Sequence, residues 1–143
     1  MSNPDVPGIE ACRRLGEAGW PQEDSDYAWV ATFGSQETGG WFLCQGLFKH
    51  FSNKRMAVAA PTIGEMLAEI RRRGWQVSLA TVGPLDVCFK ATVWRADGDG
   101  EGSQGRGGME YRRVILGHMV ADSPADALAL ALAEAGEKER DRP

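Results

Sequence analysis

The apolar residues after residue 60 change their spacing twice, and this change constrains the fold more than any other feature of the chain. Over residues 62–73 they recur every three or four positions, which is the period of an amphipathic helix. Thr62 stands three residues before Glu65, the spacing of a capping box, in which each side chain accepts a hydrogen bond from the other residue's backbone N–H. Basic residues and then Gly74 follow, so the sequence predicts a helix from Thr62 to Arg73.

Strand-like alternation replaces the helical period after this helix. Residues 75–81 and 87–94 alternate between the two faces of a strand, with a Gly-Pro break between them. Residues 111–121 predict a third strand. Residues 123–135 then begin with Ser as N-cap and Pro at the first helical position, and Gly136 is the expected end of this second helix.

The first third of the chain predicts a short helix and a β-hairpin. Ile9, Cys12 and Leu15 share one side of a helix, and residues 27–33 and 41–44 have the composition of two strands joined by a Gly- and Ser-rich turn. Residues 45–60 mix glycine with aromatic and basic residues, so the sequence does not assign them to a helix or a strand.

These elements predict a single α+β domain that covers residues 1–143. Its core has the order α-β-β-β-α, with both helices packed on one face of an antiparallel sheet, since neither helix could otherwise bury its apolar stripe. Three segments are expected to be poorly ordered: a loose N-terminal arm over residues 1–8, a mobile glycine-rich loop over residues 97–108, and a frayed charged tail over residues 137–143.

Charge and cysteine content limit the classes of partner. The net charge is −4, which gives no general attraction to nucleic acid or to anionic membranes. Cys12, Cys44 and Cys88 are far apart and odd in number, a pattern typical of free thiols in a reducing compartment. No apolar run approaches the length of a membrane span. We therefore expect a cytoplasmic protein, in the host cytoplasm if a phage encodes it, with no membrane partner.

The sequence offers no convincing catalytic, cofactor or metal site. Residues 100–105 match the dinucleotide fingerprint in letters, but a strand follows them where the motif requires a helix. Residues 97–108 resemble the first half of a calcium loop, yet Gly108 stands where a bidentate Glu is required. Cys44 and His50 could form a nucleophile–base pair, but Cys44 lies in an apolar strand. We expect no enzyme, no cofactor and no metal.

One basic and aromatic run is the best indication of nucleic-acid binding in the chain. Aromatic and cationic side chains alternate over residues 48–55, as they do in proteins that bind single strands. The arginines at the end of the predicted 62–73 helix could extend this patch. A solvated loop and a helix end stabilised by its dipole explain the same residues. The candidate contact residues, for nucleic acid or for another partner, are Phe48, Lys49, Phe51, Lys54, Arg55, Arg71, Arg72 and Arg73.

Three stretches together resemble a group of small phage and prophage proteins with a helix–sheet–helix sandwich. They are EACRRLGEAGWPQ at residues 10–22, APTIGEMLAEIRRRGW at residues 60–75 and ADSPADALALALAEAG at residues 121–136. The resemblance reaches both ends of the chain but omits residues 45–60 and 97–108. It implies a phage accessory protein and carries over no functional residue.

The α-β-β-β-α order also resembles the double-stranded-RNA-binding fold. Gly83 and Pro84 lie where that fold has its RNA-binding loop, but no histidine follows them. The last helix opens with Asp122 and Asp126 where the fold requires lysines, and these acids would repel phosphates. We therefore expect the shape of that fold without its RNA binding.

Protein binding is the function that the sequence favours. The chain shows no chemistry, yet it is rich in large aromatic side chains that suit an interface. The expected role is that of a phage-type accessory protein that binds a host or phage protein, with inhibition of a host enzyme or a defence protein as one form of this role. The alternatives are a single-stranded nucleic-acid-binding module that uses residues 48–55 and, well behind it, a small hydrolase.

Overall fold

The computed structural model describes residues 6–22, 25–31, 41–45, 57–83, 88–96 and 113–140. Within these ranges the chain forms three helices and two three-stranded antiparallel sheets, which confirms the predicted α+β class. The elements in chain order are α1 (Ile9–Glu17), β1 (Tyr27–Ala31), β2 (Trp41–Gln45), β3 (Ala57–Ala59), α2 (Ile63–Arg72), β4 (Gln76–Val82), β5 (Cys88–Ala96), β6 (Arg113–Ala121) and α3 (Pro124–Arg140).

The α2 helix begins and ends as the sequence predicts. The Thr62 hydroxyl accepts from the Glu65 N–H at 3.1 Å, and the Glu65 carboxylate accepts from the Thr62 N–H at 2.8 Å, so the capping box is complete. Gly74 follows the helix with a φ of 76°, a left-handed conformation that glycine adopts without strain. The chain then turns directly into β4.

The second sheet has the order β4-β5-β6 and carries the main core on one face. Ala91 and Val93 of β5 are fully buried there, under Leu128 and Leu132 of α3. The buried side chains of α2, Met66 and Ile70, belong to the same core, so both helices cover the same face. We call this the inner face of the sheet and the opposite one the outer face.

The α3 helix approaches the sheet closely because its buried side is built largely from alanine. Six alanines of this helix are buried. Gly117 of β6 lies opposite Ala131, and a Cβ atom at position 117 would overlap the Ala131 carbonyl group. Small side chains on both elements therefore set the distance between helix and sheet.

The first sheet has the order β2-β1-β3, and it extends the predicted hairpin. The antiparallel pairing of β1 with β2 is as predicted, from Tyr27 opposite Gln45 to Ala31 opposite Trp41. The third strand, Ala57–Ala59, pairs with β1 and was not predicted. It is only three residues long, too short for a period to be recognised.

Two predicted segment boundaries are wrong. The last helix does not end at Gly136 but continues to Arg140, so the tail expected to fray is helical over residues 137–140. This last turn is held by contacts to other elements: Glu137 with Arg14 at 3.5 Å, and Glu139 with Arg95 at 3.6 Å. Gly136 does not adopt the left-handed conformation with which a glycine ends a helix, and its missing side chain leaves room for the backbone of residue 18.

The predicted N-terminal arm is also packed where the structure describes it. Pro7 is buried, and its carbonyl oxygen accepts from the Trp29 Nε1 at 2.8 Å. The Gly8 N–H donates to the Asp126 carboxylate at 2.6 Å, which joins the start of α1 to the first turn of α3. Residues 1–5, the predicted loop over residues 97–108 and residues 141–143 lie outside the described ranges.

Candidate protein-binding surface

The basic and aromatic candidates fall into two groups. Five of the candidates lie outside the described residues: Phe48, Lys49, Phe51, Lys54 and Arg55. The predicted extension of this run by the arginines of α2 therefore stays a prediction. The three arginines lie at the end of α2, with Arg71 and Arg72 exposed and Arg73 half-buried.

Glu69 binds two of these arginines. The Arg72 guanidinium donates to both carboxylate oxygens, at 2.7 and 2.6 Å, and Arg73 Nε donates at 2.6 Å. These bonds lower the pKa of Glu69 to about 2, and the bond from Arg72 has the largest effect. Arg73 also lies over the Trp75 ring at 5.0 Å. Much of the positive charge is therefore engaged within the helix end, which weakens the case for a phosphate-binding patch.

The nucleophile and metal candidates gain no partners in the described part of the chain. Cys12 is buried, and burial, together with the charge of Asp126, raises the pKa of its thiol to about 12, so it is protonated at neutral pH. Cys44 is half-buried in β2, and its imagined partner His50 lies outside the described residues. The described residues contain no cluster of three or more metal-ligating side chains.

The outer face of the second sheet exposes large apolar side chains. Val82, Ile115 and Val120 are 38%, 44% and 49% exposed. The register places Val82 opposite Cys88, Val120 opposite Lys90 and Ile115 opposite Trp94. These three partners are separated by even numbers of residues on β5, so all of these side chains lie on one face of the sheet. Both helices that pack on this sheet share the inner face, which leaves these side chains open to solvent.

Polar side chains alternate with the apolar ones across the outer face. Thr92 lies opposite His118 on β6 and opposite Ser78 on β4, in the middle of the sheet. His118 and Ser78 are exposed, while Trp94 and Lys90 are partly buried. Trp94 lies between Gln76 on β4 and Ile115 on β6, and Val120 and Val82 lie towards the other end of the same face. A mixture of aromatic, aliphatic and hydrogen-bonding groups is the composition of a protein interface.

A groove beside β6 continues this surface. It has a volume of about 960 Å³ and runs between α1, the end of β6 and the start of α3. Its walls carry both signs of charge, including Arg13, Glu17 and Asp122, and Val120 and Leu130 give it an apolar lining. Val120 therefore belongs to both the groove and the outer face. Charges of both signs around an apolar floor suit a polypeptide better than a phosphate chain.

The sequence did not predict the outer face because β6 has apolar residues on both sides. Val114, Ile115 and Leu116 follow one another, which hides the alternation. The pairing with β5 shifts its register at Val93 and Trp94, so that Trp94 lies opposite Ile115 while Val93 lies opposite Gly117. This irregularity turns Ile115 outward and leaves Leu116 buried. This unbroken apolar run was the only sign in the sequence that β6 carries apolar side chains on both faces.

None of the helices in the described part of the chain has the length and apolar character needed to cross a bilayer. Comparison with protein-family models, with curated proteins and with solved structures finds no match to the chain. The exposed outer face and the adjoining groove are therefore the basis on which a function is proposed.

Proposed function

We propose that this protein acts by binding another protein through the outer face of its second sheet. The observation that carries the proposal is the exposure of Ile115, Val120 and Val82 on one side of the same sheet. Single exposed aliphatic residues are ordinary, but three of them on the uncovered face of one sheet, with a tryptophan opposite one of them, are a feature of interaction sites.

The energy of such a complex would come from removing these side chains from water. Complete burial of an aliphatic side chain contributes about 1.5–3 kcal/mol relative to its exposed state. Trp94, which lies opposite Ile115, is expected to contribute as well, because tryptophan is enriched among the residues that dominate the binding energy of interfaces. The polar residues around it, such as Thr92 and His118, would orient the partner.

The resemblance to phage accessory proteins extends the proposal to the kind of partner. Inhibition of a host or defence protein is the corresponding role for this chain. In that role the protein would occupy part of the surface of a host protein. The charged groove beside Val120 supports a polypeptide as the partner, because it offers both acidic and basic groups to one apolar segment.

Affinity capture with matched variants tests the proposal. The double substitution Ile115→Lys and Val120→Lys places two charges on the outer face at exposed positions, so the fold is retained. Ala68→Lys places a charge on α2 at another exposed position and serves as the control. We expect wild type and Ala68→Lys to capture the same protein from host lysate after nuclease treatment, and the double variant to lose it.

Two results would count against this function. Equal capture by the double variant and the control would show that the outer face is not the binding site. Capture that disappears on nuclease treatment would favour the single-stranded nucleic-acid alternative, with residues 48–55 as its site.

A further inference from the structure

The two free edges of the second sheet differ in how they are covered. At β6, the His118 N–H donates to the Glu134 carboxylate at 3.0 Å, and the Ile115 carbonyl oxygen accepts from Lys138 Nζ at 3.3 Å. Both partners belong to α3, so this helix satisfies backbone groups along that edge. The register shift beside Ile115 further interrupts the edge. These are features by which sheet proteins avoid pairing with other chains.

In the part of the chain that the structure describes, the β4 edge has none of this protection. Its seven residues read QVSLATV, with no charged residue and no proline. Six of the seven are exposed, and pairing with β5 runs without a register shift from Gln76 to Val82. No side chain in the described part of the chain hydrogen-bonds to its free side. In an antiparallel strand every second residue directs its N–H and C=O groups to the same side, so this edge carries a regular row of donors and acceptors that no described strand pairs with.

The sequence of β4 is compatible with pairing to itself. In an antiparallel pair about a two-fold axis, the register that matches all seven residues places Leu79 opposite its own copy. Val77 then lies opposite Thr81, and Ser78 opposite Ala80. Each pair keeps its residues on a single face of the sheet, and no pair brings like charges together.

Apolar side chains near the edge favour the same arrangement. Leu79 is 40% exposed although the alternation of β4 places it on the inner face. Leu67 is 38% exposed on α2, the helix that contacts β4. A two-fold axis perpendicular to the sheet would place both copies of α2 on the same side of the joined strands, where these leucines are available to be buried.

We propose that the protein forms a homodimer in which two β4 strands pair antiparallel about Leu79. The two sheets join into one of six strands, and their outer faces become a continuous surface twice as wide. This pairing does not depend on the partner proposed for the outer face, since it uses the edge of the sheet and leaves that face open.

Sedimentation equilibrium tests the dimer. We expect wild type to have twice the mass of one chain at micromolar concentration. Leu79→Lys places two lysines opposite each other on the axis and should raise the dimer Kd at least about tenfold. Val120→Lys, an exposed substitution on β6, should leave the dimer unchanged. A monomeric wild-type protein, or a dimer that Leu79→Lys does not weaken, would overturn the proposal.

Cysteine cross-linking tests the register. A residue on the axis meets its own copy, so Leu79→Cys should form a covalent dimer under mild oxidation. Thr81→Cys would lie about 14 Å from its copy, beyond the reach of a disulfide. Wild type, with its three native cysteines, gives the background. Equal cross-linking of the two variants would rule out pairing centred on Leu79.

Discussion

Gly117 of β6 lies directly against the backbone of Ala131 in α3. A Cβ atom at Gly117 would come within 2.8 Å of the Ala131 carbonyl carbon and 3.2 Å of its Cα. These atoms belong to the backbone of a buried helix, so they cannot move aside as a flexible side chain could. The contact makes Gly117 the position in the described core where one added methyl group requires the helix and the sheet to separate.

We therefore expect Gly117→Ala to lower the free energy of unfolding by at least about 3 kcal/mol. At Gly64, an exposed position in α2, a Cβ atom would make only an ordinary contact with the Thr62 hydroxyl oxygen at 3.8 Å. The same substitution there should raise stability by about 0.5–1 kcal/mol because alanine favours the helix. Urea denaturation of the two variants measures both effects. A Gly117→Ala protein as stable as wild type would show that α3 does not press on β6 as described.

The capping box of α2 predicts a second, smaller effect. Thr62→Ala removes the hydroxyl that accepts from the Glu65 N–H and should cost about 1 kcal/mol. Thr62→Ser keeps an acceptor at that position and should retain most of the stability. Thermal unfolding distinguishes the two substitutions, and equal destabilisation by both would mean that the threonine methyl group, not the hydrogen bond, is what matters.

Glu69 predicts a dependence of stability on pH. Its pKa is lowered from 4.5 to about 2 in the folded protein, chiefly by the hydrogen bond from Arg72. A carboxylate with a depressed pKa stabilises the fold fully above its unfolded pKa and loses that effect as the pH falls towards its folded pKa. The melting temperatures of wild type and Glu69→Gln should therefore differ above about pH 4.5 and converge near pH 2.

High salt should reduce the difference at neutral pH, since Arg72 lies at the surface. Glu10 gives a matched control, because its ion pair is weak. Its side chain is 84% exposed, and its carboxylate comes no closer than 3.7 Å to the Arg13 guanidinium. Glu10→Gln should have no measurable effect on the melting temperature. A difference between wild type and Glu69→Gln that persists at pH 2 would show that the carboxylate charge is not its source.

Burial of Cys12 predicts its reactivity. Its thiol donates to the Pro7 carbonyl oxygen at 3.4 Å and has a pKa raised to about 12, so little thiolate is present at pH 8. Iodoacetamide should label Cys44 and Cys88, which are half-buried, faster than Cys12 in the native protein. All three should react alike in denaturant. Rapid native labelling of Cys12, detected by mass spectrometry, would contradict the packing of residues 6–8 against it.

Nucleic-acid binding gives a separate prediction. The chain is acidic, and Glu69 engages two of the α2 arginines, so single-stranded oligonucleotides should bind no better than millimolar at physiological salt. Lys49→Glu, Lys54→Glu and Arg55→Glu in one variant should then change nothing. A micromolar affinity that this variant abolishes, with a salt slope of about 0.7 per phosphate contact, would instead establish the alternative function.

The sequence predicted α2 best because its signals are local. The capping box and the apolar stripe act within one helix, and Thr62 and Glu65 are three residues apart. The end of α3 could not be predicted in this way. Gly136 is a typical stop signal, but here it permits close contact with α1, and residues far along the chain, such as Arg14 and Arg95, hold the next turn.

The candidate surface was less predictable than the fold. The sequence indicated a protein-binding role but assigned its contacts to residues 48–55 and to the arginines of α2. The outer face depends on which side of β5 and β6 the helices cover, and the register shift between Val93 and Trp94 decides which residues turn outward. Neither the side that the helices cover nor the register shift can be read from one segment of the sequence. The uncovered β4 edge likewise follows from strand order.

The position of α3 in the fold has a consequence for synthesis. This helix contacts β5, β6, α1 and α2, yet it follows all of them in the chain. On the ribosome the inner face of the second sheet, with Ala91 and Val93, emerges well before the helix that covers it. Until α3 leaves the exit tunnel, this apolar surface and both sheet edges are available to chaperones or to neighbouring nascent chains.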